Sequence, residues 1–412
     1  MHSIQLKEIH TEIPLHKNQD FILYWAAYIC SAFSFSMYMI GESWYVVSAL
    51  NKADALGMVL MVTTLPRLLL MLMGGVVADR LRRSLIMFIS ILTRGLLVLA
   101  MVGLLLLDSL NLWALLSVAL IFGLLDAFYW PASQSLIPLL VSKEQLTRAN
   151  SLIQTTQQFS VVVGPILAGW ILVYGSYEGL FACCSLILLA GSFILFFIRE
   201  SPLQQKGDRK PPLAEMKEGF GYIRRSSFLF TALFISAILN FFYTGPLVMG
   251  IPIVAKEVLK GTAVDLSILE SSYAGGMVLG SLMMLVLNLR KRRGLFILSL
   301  FSLSGLLLCL FSQTALLWQG ALILLFIGAF NTGMNIPFAS LVQEITDPDK
   351  MGRVMSFIAF SSLGLMPVSY SLLSALLSIG VPISLILMIS GFFIFLFSIF
   401  VMTGAKTIRG LD

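Results

Sequence analysis

The chain has 412 residues, 58% hydrophobic and only 12% charged, with a formal net charge of +6. A soluble domain carries about 25% charged residues, so a chain this apolar has no surface fit for water and reads as a polytopic membrane protein. Its apolar runs are continuous, which excludes the alternating pattern of a β-barrel and leaves helices of about 20 residues as the spanning unit.

Residues 1–20 are polar and lack the apolar core of a secretory signal, so the N-terminal tail is expected to stay in the cytoplasm. Twelve spans follow: 21–49, 55–78, 84–107, 112–140, 151–174 and 179–198, then 227–254, 266–288, 294–311, 315–341, 352–377 and 380–403. Between the sixth and seventh lies the one long polar interval, 199–226. Pro211 and Pro212 interrupt it. Beyond them Leu213, Met216, Phe220 and Ile223 recur at helical spacing, which predicts an amphipathic helix on the inner membrane face. The reading is an all-α membrane protein with six helices in 21–198, a cytoplasmic linker, six helices in 227–403 and a cytoplasmic tail at 404–412.

The basic residues orient the chain. Of 27 Lys and Arg, 22 fall in segments that share the side of the N-terminus, three in opposite loops and two inside spans. Positive loops stay cytoplasmic, so both termini face inward in a plasma membrane of bacterial type. The net charge then needs no nucleic-acid partner. The two halves also echo each other. "RLRR" (80–83) matches "RKRR" (290–293), and Arg148 with Ser151 matches Arg353 with Ser356 in spacing. A duplicated six-helix unit is a transporter design with the substrate path between the halves.

Charges inside spans carry the most information, because each costs about 2.5–3.5 kcal/mol at the bilayer centre even on lenient scales. Glu42 lies on a polar stripe of span one with Ser34, Tyr38 and Tyr45. Counting about 1.5 Å per residue places it within roughly 6 Å in depth of Arg67 in span two, so these two are expected to pair. Arg94 in span three and Asp126 in span four form a second expected pair, either a structural tie or part of coupling. Glu270 in span eight has no obvious partner and suits a helix interface. Cys30, Cys183, Cys184 and Cys309 all lie in apolar segments and read as packing residues, and His2, His10 and His16 as a solvated tail. No phosphate-binding loop and no metal-spaced cluster is present, so neither an enzyme, a cofactor nor a metal is expected.

In "GGVVADRLRR", Gly75, Asp79, Arg80 and Arg83 match the loop motif of the major facilitator superfamily, with Arg82 and Ser84 departing from it. In "SVVVGPILAGW", Gly164, Pro165 and Gly169 match the fifth-helix motif of its drug/proton antiporters, with departures at Ser160 and Trp170. "FYWPASQSLIPLLVSKEQLTRANSL" is similar to the branch holding macrolide-efflux proteins and the enterobactin exporter. The resemblance implies the major facilitator fold, two pseudo-symmetric six-helix bundles. It also implies a conformational latch at Gly75, Asp79, Arg80 and Arg83, and a cavity lined by spans one, four, seven and ten. The latch's usual acid at the inner end of span four is replaced by about Pro138, which leaves its third partner open. Tyr38, Trp130, Gln134, Asn240, Tyr243, Asn331, Asn335 and Phe338 are the candidate substrate residues, with Met334 beside them.

The function implied is proton-coupled export of an amphipathic drug, antibiotic or siderophore by a monomer, with protons and membrane lipids as its other partners. The intramembrane charges Glu42, Arg67, Arg94, Asp126 and Glu270 are candidates for coupling. A facilitator or lipid-moving protein of the same fold, and a membrane sensor without transport, are the alternatives.

Overall fold

The computed structural model describes residues 14–198, 200, 220–287, 293–347 and 350–404. Among these residues the chain is helical and without strands, and twelve helices are long and apolar enough to cross a bilayer. They are α1 (Gln19–Trp44), α2 (Leu56–Arg80), α3 (Arg83–Leu106), α4 (Leu112–Leu140), α5 (Leu146–Tyr174) and α6 (Tyr177–Phe196). The second six are α7 (Ser227–Val258), α8 (Ala263–Leu287), α9 (Arg293–Ser312), α10 (Leu317–Ile345), α11 (Val354–Ser378) and α12 (Ile383–Gly404). The base of the molecule is the end at which α1 begins; the crown is the opposite end.

Helix starts follow local chemistry. Asn18 accepts the Phe21 N–H at 3.1 Å and donates its own amide to Leu140 O at 2.6 Å, so one side chain caps α1 and ties it to the end of α4. Asn111, Ser176 and Ser226 cap α4, α6 and α7 in the same way. A π-turn at Asn240–Thr244 interrupts α7 and another at Val254–Val258 ends it, and α11 is broken between Gly364 and Met366.

Packing repeats between the halves. α2 lies on α4 and α3 on α6; in the second half α8 lies on α10 and α9 on α12. Backbones approach where a side chain is missing. A Cβ at Gly123 would collide with Thr63 O of α2, and one at Gly328 with Tyr273 O of α8. The halves meet through α5 against α8 and α2 against α11. These contacts gather toward the crown. Ser371 Oγ lies 2.7 Å from Met61 Sδ, Ser271 Oγ donates to Val162 O at 3.0 Å, and Lys256 sits 5.7 Å from the centre of the Trp44 ring.

Most of the expected linker helix, including Leu213 and Met216, lies outside the described residues. Residues 220–225 are helical. Ile223 there is buried with Phe228, Leu229 and Val354, so this piece packs on the base of α7 and α11.

Candidate transport site

Asp126 stands at the middle of α4, whose neighbours α2 and α3 each bring an arginine to it. Its Oδ1 pairs with Arg94, and its Oδ2 lies 3.5 Å from Arg67 Nη1. Arg94 and Asp126 are only 2% and 7% exposed, whereas the Arg67 side chain is 30% exposed. Aromatic faces complete the surroundings. Arg94 lies over Tyr129 at 5.0 Å and Phe122 at 5.6 Å, and Arg67 lies over Trp130 at 5.7 Å. In so dry a place an ion pair holds through mutual attraction, and losing one partner strands the other.

The expected pair of Arg94 with Asp126 is present, but Glu42 with Arg67 is not. Nearness in depth does not fix the direction in which a side chain points. α2 packs on α4, while α1 packs on α5 and α6, so Arg67 turns to Asp126. Glu42 is 1% exposed and accepts a hydrogen bond from Tyr38 Oη at 2.8 Å. Among the described residues it has no ion-pair partner. Tyr38 is itself buried, stacked on Phe122 of α4 at 4.6 Å and tilted against Phe181 of α6. It therefore faces the helix seam and lines neither of the two cavities described below. Glu270 is half-buried on α8, next to Ser271, which bonds α5.

Two cavities lie in the base-side half. One, of about 210 Å³, is polar and lined from the first half by Tyr28, Arg67, Arg94, Asp126, Trp130, Gln134 and Gln157. The other, of about 280 Å³, is mostly apolar and lined from the second half by Ile235, Asn240, Phe301, Met334, Asn335 and Phe338 among others. Trp130, Gln134, Asn240, Asn335 and Phe338 thus line cavities. Asn331 lies one turn away and accepts from Asn335 Nδ2 at 3.0 Å. Tyr243 does not line either one; it is 1% exposed and its hydroxyl points at Ile327 O, 3.4 Å away. Its bulk fills the α7–α10 seam as Tyr38 fills that of α1 and α4. Gln157 and Tyr28, which hydrogen-bond each other at 2.9 Å, are cavity residues that the sequence reading did not single out. Their spacing from Asp126 in the chain gave no signal.

The profile of the Major Facilitator Superfamily matches residues 24–369. The chain belongs to that superfamily. Among relatives, it is 27% identical to macrolide efflux protein A of Streptococcus pyogenes, over 89% of this chain and 88% of that one. It is 28% identical to macrolide efflux protein A of Enterococcus faecalis, over 67% and 82%. Among solved structures it superposes on the nucleoside transporter NupG with a TM-score of 0.74 at 12% identity, over 94% of this chain and 100% of that one. A POT family transporter in complex with 5-aminolevulinic acid gives 0.72 at 11%, over 94% and 96%. The chain is thus a multi-pass membrane transporter and not an enzyme, and the two relatives named above are efflux proteins.

The superfamily's loop motif closes the α2–α3 turn. The side chains of Asp79 and Arg80, and Gly75, lie outside the described residues. Arg83 is described, and its partners supply what the sequence left open. Its Nε donates to Ser135 Oγ of α4 at 3.0 Å, and its Nη1 lies 3.4 Å from Glu200 just beyond α6. Glu200 also accepts the backbone N–H groups of Arg83 and Ser84 at 3.1 and 3.0 Å and the Ser84 hydroxyl at 2.9 Å. A carboxylate at a helix N-terminus satisfies orphan donors and opposes the helix dipole. In the second half, Arg293 pairs with Glu344 at the base of α10. The acid that α10 carries itself is, in the first half, brought to the start of α3 from the end of α6. The sequence reading missed Glu200, because only the fold places it beside α3.

The fifth-helix motif lies at two seams. Gly164 meets Ser36 of α1, and Gly169 meets Ser267 and Ala263 of α8 in the other half. A Cβ at either position would strike a neighbour, so these glycines set how closely α5 approaches α1 and α8.

Proposed function

We propose that this protein is a proton-coupled exporter of amphipathic small molecules, with its base in the cytoplasm, that works by alternating access. Lysines and arginines crowd the base-side loops, which supports that orientation. In this arrangement the crown is packed shut by α2 with α11 and α5 with α8, and both cavities lie on the cytoplasmic side of those contacts. A solute from the cytoplasm meets a charged wall on one half and an apolar wall on the other, a pairing suited to a molecule with both characters. Export, rather than uptake, follows the efflux relatives.

Glu42 is the observation that carries the coupling. It is a buried carboxylate near the crown, held by the neutral phenol of Tyr38 rather than by a cation. Burial without a counter-charge ties a carboxylate's ionisation to its surroundings. Opening the crown admits water to Glu42 and closing it removes that water, so proton exchange there is linked to the rocking of the halves. Asp126 has both oxygens engaged by arginines and serves to hold α2, α3 and α4 in register.

The test is accumulation of amphipathic antibiotics, acidic, neutral and basic, in an efflux-deficient host, with and without the protein. The expectation is lower accumulation with the protein, abolished by collapsing the proton gradient. Extrusion that continues unchanged after collapse removes the coupling.

A further inference from the structure

The polar cavity holds more positive charge than negative. Arg67 and Arg94 line it, and the one carboxylate among its lining residues, Asp126, already receives both. That leaves one positive charge in a mostly buried place. The Nε atoms of Arg67 and Arg94 are also buried without a hydrogen-bond partner. Arg94 is 2% exposed, so its idle donor lies away from bulk solvent. Buried donors and unbalanced charge are costly when nothing completes them. Arg67 is the more accessible of the two and lies over Trp130 at the cavity wall.

We propose that this cavity receives an oxyanion of the substrate, a carboxylate or an ionised phenol, so that the exported molecules are amphipathic acids. The assignment rests on the reading of the cavities as the transport site. A guanidinium fork matches a planar oxyanion with two parallel hydrogen bonds. An ammonium group has no free carboxylate to meet here, and it faces two like charges instead. The apolar cavity on α7 and α10 offers its walls to the rest of the molecule.

The test uses the full chain, purified, and three fluorescent probes of closely similar shape: dansylglycine, its neutral amide, and the amine dansylethylenediamine. The acid is expected to bind about tenfold more tightly than the amide, because a charge-assisted pair is lost in the latter, and the amine more weakly still. Arg67→Gln, which leaves Asp126 with Arg94, is expected to bring the acid down to the level of the amide and leave the amide unchanged. Arg67→Lys is expected to recover part of the preference. Equal binding of acid and amide, tighter binding of the amine, or an equal loss of all three in Arg67→Gln overturns the assignment. The same probes in proteoliposomes separate it from the exporter reading. A preference for the acid without any transport leaves the cavity assignment standing and removes the exporter. Transport of amines untouched by Arg67→Gln does the reverse.

Discussion

Replacing Asp126 by Asn removes one charge and strands two. Arg94 is buried and would keep an amide oxygen and its aromatic neighbours but no counter-charge, so the expected loss is about 3–5 kcal/mol, the usual cost of breaking a buried pair. A thermal melt of the purified protein checks this, and an unchanged melting temperature would mean that the triad holds nothing together. Glu42→Gln differs in kind. The amide oxygen can still accept from Tyr38 at a similar distance, and no cation is stranded, so the fold is expected to survive. Residue identity and depth made the charged positions legible in the sequence. The direction in which each points was not. Arg67 chose Asp126 over Glu42 because α2 packs on α4, and Tyr38 and Tyr243 turned into helix seams where their rings fill space. A single sequence gives a helix's depth far better than its rotation, since nearly every face of these helices is apolar.

At the scale of elements, Glu200 is the clearest case of a long-range partner. Its two oxygens hold the first N–H groups of α3 and the Arg83 side chain, which reaches α4. Glu200→Ala is expected to leave those donors unsatisfied and to cost about 1–3 kcal/mol. Faster hydrogen exchange at the start of α3 than in the native protein would report it. Exchange at that turn left unchanged would show that Glu200 is not its cap. Helix existence was readable from apolar runs alone; span four, expected at 112–140, is Leu112–Leu140. The interruptions of α7 and α11 were not, because a π-turn changes hydrogen bonding without changing composition.

Across the whole molecule, the two halves repeat one packing scheme and differ in chemistry, charged in the first and apolar in the second. Their duplication was visible in matching basic loops, but the closed crown was not, since no local pattern records which ends meet. Met61 and Ser371 touch across that closure. A double cysteine variant at these positions is expected to form a disulfide on oxidation, lock the crown, and stop transport until reduced. A cross-linked protein that still transports would place the moving gate elsewhere. The measurement that bears most directly on the account is solute flux in proteoliposomes with Glu42→Gln, with and without an imposed proton gradient. The account predicts that the variant still exchanges solute down its own gradient and no longer concentrates it when protons are supplied. Proton-driven accumulation equal to that of the native protein would contradict it.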